Sequence, residues 1–139
     1  MSQSPVQQKN IDTVRTALDN ARAGKLDAAK PFFADDFILY EADGLPFGGE
    51  YHGWDGYVEV LKKLREFFAA GERRQDDRQF IPYGDDKVII HFTVDGRIAK
   101  NGQHVRMPIL ALWELKGGKI ARIRPFFFDT KKIADLAAL

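Results

Sequence analysis

No cysteine occurs in the chain, which excludes disulfides, thiolate nucleophiles and cysteine-ligated metals. Histidine is scarce, at three residues, and none of these shares metal-ligand spacing with another and a carboxylate, so no metal site is expected. Long apolar runs are missing too. Nothing approaches the roughly eighteen apolar residues of a membrane-spanning helix, and the opening MSQSPVQQKN lacks the apolar segment of a secretory leader. A soluble, cytoplasmic protein without membrane association is expected. Excess charge of one sign is also lacking: 21 basic residues stand against 20 acidic ones. GERRQDD mixes both signs within one short stretch. Without a basic stripe there is no footprint for nucleic acid, and Arg73, Arg74 and Arg78 read as a solvated strand edge rather than a phosphate patch. KGGK is hairpin chemistry, not a phosphate loop, and no cofactor is expected.

What remains is a chain of 139 residues, the size of one domain spanning 1–139. Ser4, Pro5 and Gln7 form a helix-start signature, with Ser as N-cap, Pro in the first position and Gln placed for a capping box. Ile11, Val14, Leu18 and Ala21 follow at helical spacing, and Gly24 closes the helix. Leu26 to Phe33 predicts a shorter helical piece, and Phe37 to Ala42 a first strand that ends on a carboxylate, Glu41. After a glycine-rich loop, Tyr51-His52-Gly53 suits a short paired strand. Asp55 is placed to cap a third helix that carries Val58, Leu61, Leu64 and Phe68 on one face and ends at Gly71. The period then changes from 3.6 to 2. Arg74 to Tyr83, Lys87 to Ile98, His104 to Leu115 and Lys119 to Phe128 read as four strands joined by turn residues. Asp129 or Thr130 starts a last short helix. Helices followed by a strand meander give an α+β class, and a long twisted sheet curled over helices becomes a cone with an apolar interior.

The order of elements and the stretch ARAGKLDAAKPFFADDF resemble the nuclear transport factor 2-like superfamily. The loop LPFGGEYHGWDGY and the tail GGKIARIRPFFFDT are similar to its SnoaL-like and ketosteroid-isomerase-like branches. The resemblance implies a cone-shaped α+β barrel: three N-terminal helical segments packed on a strongly curved, mixed, mostly antiparallel sheet, with a short C-terminal helix. It implies a small-molecule pocket and a homodimer. Through FADDF, Glu41 falls where the ketosteroid isomerases keep the Asp that moves a proton, an enzyme that also serves as a standard case of a general base beside an oxyanion hole. The two donors of that hole match Ala17 and Ala111 (Leu110 with the gap placed differently), and neither side chain donates a hydrogen bond. Asp129 in FFFDT matches the acid/base residue of the SnoaL-like cyclases.

Strand parity sorts the remaining side chains. With the family register, Phe92, Val94, Met107, Ile109, Trp113, Ile123 and Phe127 line the cone, with Tyr57 and His52 near its ligand and Phe47 on a loop that folds over it. Only Glu41 and Asp129 then bring ionisable groups inward, and a carboxyl in an apolar cavity has its pKa raised toward neutrality, which suits a general base. The plain alternatives stay open: Glu41 precedes a turn and can face water, Asp129 can serve only as a helix cap, and the loop can be a simple connection. His91 and His104 belong to the surface. The expected function is proton transfer, isomerisation or cyclisation on a small apolar cyclic carbonyl compound. The alternative is a noncatalytic ligand-binding or protein-interaction domain. The half-apolar outer sheet face carrying Ile89, His91, Thr93, Leu110, Leu112 and Arg124 suits a two-fold partner.

Overall fold

A computed structural model of the protein describes residues 3–139. Met1 and Ser2, which open the stretch read above for a leader, lie outside the described residues. The first helix, α1 (Pro5–Arg22), begins as its sequence dictates: Gln7 N donates to the Ser4 hydroxyl at 3.2 Å, and Ser4 N donates to Gln7 Oε1 at 3.1 Å. Its end is a Schellman turn. Gly24 takes a φ of +77°, which lets Gly24 N reach Ala21 O and Lys25 N reach Asn20 O. A single helical turn, α2 (Leu26–Ala29), tightens into a 3₁₀ turn over Lys30–Phe32, where Pro31 has no N–H to give.

The first strand, β1 (Phe33–Glu41), starts four residues earlier than expected and pairs antiparallel with β2 (Gly49–His52). Helix α3 (Gly53–Phe67) corrects two expectations. His52 takes its cap position without a side-chain bond, while Asp55 sits inside the first turn, where its charge meets the helix dipole. The helix also stops at Phe67, before Gly71. Its inward face is Tyr57 and Val60 with Leu61 and Leu64, a turn-by-turn set that leaves Val58 at the side.

Strands β3 (Arg74–Tyr83), β4 (Lys87–Arg97), β5 (His104–Lys116) and β6 (Lys119–Phe127) form the expected antiparallel meander. The last of them returns beside β1 in parallel, so the sheet is mixed, in the order β2-β1-β6-β5-β4-β3. It curls over the helices, with α3 against β1 and β2, and α1 against β3 and β4. A short α4 (Thr130–Ala137) closes the chain. No helix of the described residues is long and apolar enough to cross a membrane.

Two features aim side chains inward. Strand parity holds along β4 and β5, where Val88, Ile90, Phe92 and Val94 are buried, as are Met107, Ile109, Ala111 and Trp113. In β3 parity is reset by a bulge: two residues, Asp77 and Arg78, lie opposite Phe92 alone. Asp77 takes a φ of +56°, which an aspartate tolerates better than most residues. Gln75, opposite Val94, and Phe80, opposite Ile90, therefore share the inner face despite their odd and even numbers.

Close contact between α3 and β2 depends on Gly56. A Cβ there would lie 2.6 Å from the Tyr51 carbonyl carbon, a main-chain atom that cannot rotate away. Gly56→Ala is expected to cost about 1–3 kcal/mol, read as a lower urea midpoint at unchanged m-value.

Candidate functional site

Under the curled sheet lies a cavity of about 100 Å³. Leu39 and Glu41 of β1, Ile90, Phe92 and Val94 of β4, and Ile109, Ala111 and Trp113 of β5 supply its walls, with Ile123, Pro125 and Phe127 of β6. Leu18, Ala21 and Arg22 of α1 and Tyr57, Val60, Leu61 and Leu64 of α3 close it from the other side. Phe68, Arg73 and Gln75 complete it. Aliphatic and aromatic surface dominates, which makes the few polar groups informative.

Glu41 is the first of these. It follows Phe37 and Leu39 on the inner face of β1 and is 5% exposed. Its Oε1 has no hydrogen-bond partner among the described residues. Loss of hydration raises its pKa from the ordinary 4.5 to about 8, while the Arg73 guanidinium pulls in the opposite direction. The loop that follows is tied down by its own bonds. Leu45 N donates to Ala42 O, Gly48 N donates to Leu45 O, and the Tyr51 hydroxyl donates to Phe47 O at 2.7 Å.

Two more polar atoms are buried without partners, Trp113 Nε1 and Gln75 Oε1, and both residues line the same cavity. Orphaned buried polar groups are rare and cost about 1–3 kcal/mol each. All three such residues among those described, Glu41, Gln75 and Trp113, line this one cavity. Sequence reasoning missed Gln75, Arg73 and Arg22. The signal for Gln75 and Arg73 was available as parity, since Arg73 and Gln75 alternate with Arg74 and Asp76, but it needs the β3 register to be read.

The expected site residues divide. Tyr57, Phe92, Val94, Ile109, Trp113, Ile123 and Phe127 line the cavity with Glu41, whereas Met107 is buried on the same strand face but outside the lining. Phe47 lies behind the wall rather than over a ligand: it is 3% exposed and packs its ring 5.3 Å from Phe67 and 5.9 Å from Phe127. The loop around it is tied down by the bonds above. His52 points outward, its side chain 64% exposed and its Nε2 3.2 Å from Glu50 Oε1. Asp129 does not join Glu41. The strand stops at Phe127, so alternation does not carry two residues further, and Asp129 Oδ1 instead accepts from Lys132 N at 3.0 Å as the N-cap of α4. It faces a shallow surface depression with Lys131 and Leu136.

His104 sits on the outer face, 3.0 Å from Asp95. Hydrogen bonds from His104 and then Arg106 hold the Asp95 carboxyl down at about 2. Arg74 and Arg106 also share Asp76, so the outward arginines of this region are neutralised. Among the described residues no group of three His, Asp or Glu side chains converges in a metal-ligating arrangement.

The raised pKa of Glu41 has a thermodynamic consequence. The folded state binds a proton more tightly than the unfolded state, so its stability falls as pH rises from 4.5 to about 8 and levels beyond. The span corresponds to a swing on the order of 5 kcal/mol. Glu41→Gln is expected to remove this slope, and its stability relative to wild type should improve by about that amount across the window, measured by denaturant titrations at stepped pH.

The fold has many solved relatives. An NTF2-like protein from Burkholderia xenovorans LB400 superposes with a TM-score of 0.85 at 18% identity, over 94% of this chain and 97% of its own. TerC, crystallised with polyporic acid, gives 0.78 at 22% identity over 94% and 98%. A protein from Jannaschia sp. CCS1, assigned to the SnoaL-like polyketide cyclases, gives 0.79 at 19% identity over 100% and 99%. No curated protein matches the chain. At the level of sequence, residues 14–123 match the model of the SnoaL-like domain, and the chain belongs to that family.

Proposed function

We propose that the chain is a small-molecule enzyme in which Glu41 moves a proton at carbon beside the carbonyl of a compact, largely apolar cyclic compound. The observation that carries this is a single carboxyl, buried and without a hydrogen-bond partner, in an apolar cavity. With a pKa of about 8, roughly a tenth of Glu41 is ionised at pH 7. That fraction is a stronger base than an ordinary carboxylate, and the protonated remainder can return the proton. A substrate carbonyl that accepts from Trp113 Nε1 gains a donor fixed before the reaction, where an enolate charge develops. Asp129 has no part in this step; its role is to cap α4. The likeness to SnoaL-like polyketide cyclases and to a protein crystallised with polyporic acid supports cyclic oxygenated compounds as the ligand class.

Ala17 and Ala111, at the positions of the isomerase donors, favour a second reading, a binding module without chemistry. Deuterium exchange separates the two. With cyclohexanone in D₂O followed by NMR, wild-type protein should speed exchange at the carbon beside the carbonyl, with a rate that climbs with pH and levels above about 8. Glu41→Gln should lose about 100-fold or more of that enhancement. Exchange unaffected by Glu41→Gln removes the catalytic role, and binding of the ketone without exchange selects the module.

The outer sheet face supports a homodimer. The register places Ile81, Ile89, Leu112 and Arg124 in one row, and Gln79, His91, Leu110 and Phe126 in the next. Leu110 is 48% exposed and Phe126 58%, more apolar surface than a lone sheet face ordinarily leaves in water. Sedimentation velocity should find a dimer for the wild type and a monomer for Leu110→Glu.

A further inference from the structure

The inner cavity is not the whole of the passage. A second chamber of about 300 Å³ shares Ala21, Leu61, Leu64 and Phe68 with it, and the two also share Arg22 and Arg73. Arg65 joins them in the outer chamber. Three guanidinium groups, from α1, α3 and the residue just before β3, therefore surround one opening.

Four other arginines, Arg15, Arg74, Arg78 and Arg106, have carboxylates. Arg97 and Arg122 donate to main-chain carbonyls outside the passage, and Arg124 lies 4.0 Å over the Tyr40 ring. Among the described residues, no carboxylate lies within 4.0 Å of Arg22, Arg65 or Arg73. Asp19, one turn before Arg22, is held by Arg78 at 2.9 Å. Arg22 reaches only the Arg73 carbonyl, at 3.5 Å, and Arg73 has only the Phe68 ring, 5.9 Å away. Partial burial first, and then the neighbouring Arg22, bring the pKa of Arg73 down to about 10. It keeps its charge at neutral pH and lacks a counter-ion, a costly arrangement unless a ligand supplies one.

Size adds a second constraint. An engineered cavity of roughly 150 Å³ accepts benzene, so the inner cavity of about 100 Å³ takes one ring at most. A substituent on that ring must pass outward between the arginines.

We propose that the passage binds a monoanionic organic acid, with a single apolar ring held at Glu41 and Trp113 and a carboxylate bound by Arg73, assisted by Arg22 and Arg65. The planar guanidinium fork matches a carboxylate, and the largely apolar lining of the inner cavity offers no partner to a second charge on the ligand. The inference rests on the cavity being a ligand site, as proposed above, but not on Glu41 chemistry.

Calorimetric titration with 3-phenylpropanoate and its neutral primary amide at neutral pH tests it. The acid should bind about tenfold or more tightly than the amide, and Arg73→Gln should bring the two affinities within about twofold of each other. The Arg22→Gln/Arg65→Gln pair, at exposed positions, should lower the preference several-fold and stands as the test if Arg73→Gln does not fold. Equal affinities for acid and amide in the wild type overturn the acid assignment and leave the ligand site standing. A preference that survives both sets of substitutions overturns it as well, as does tighter binding of benzylphosphonate than of the acid. If neither compound binds, both the acid assignment and the ligand site fall.

Discussion

A carboxyl group removed from water without a partner is the constraint around which this structure is arranged. Glu41 reaches that state through an ordinary cause: the inward parity on β1 that it shares with Phe37 and Leu39. Hydration lost there is not replaced by a hydrogen bond, so the proton is held toward neutrality. The field of Arg73 limits the shift, and Arg73 in turn draws support from Glu41. Glu41 ends β1 and Arg73 immediately precedes β3, strands near opposite edges of the sheet. Only the curl of the sheet over α1 and α3 places them around one space, so the chemistry of the pocket is a property of the curvature more than of either strand.

Most of the frame was legible in the residues. Capping chemistry at Ser4 and Gln7, the glycine after α1, and strict alternation in β4 and β5 each have one good structural solution, and the fold adopts it. Glu41 was legible for the same reason, since Phe37 and Leu39 fix the face it shares. Other positions depend on where an element stops. Asp129 was assigned inward by extending an alternation that ends two residues earlier, and its cap bond then decides its direction. Asp55 was placed as a cap when the helix begins two residues before it.

Arg73 and Gln75 were illegible for a different reason. A mixed-charge run such as GERRQDD looks solvated from composition, and only pairing with β4 shows that every second residue turns inward. Phe47 shows the converse. Glycines on both sides suggest freedom, yet main-chain bonds and two aromatic neighbours make it part of the wall. Local flexibility inferred from residue type is overridden wherever the backbone groups find partners.

The extra residue at Asp77 divides β3 into two segments that answer to different demands. Beyond it, Phe80 packs into the interior with Ile90; before it, Gln75 lines the cavity, as does Arg73 just ahead of the strand. Flattening the bulge with every residue kept and the later half in place would set Asp76 opposite Val94 and Arg74 opposite Gly96. An acid would then enter the wall where an amide now stands, and Asp95 on the outer face would lose one of its cations. The bulge at this single point therefore sets the polarity of the wall, and deleting Asp77 would leave Gln75 opposite Val94 while bringing Arg78 alone opposite Phe92, on the inner face.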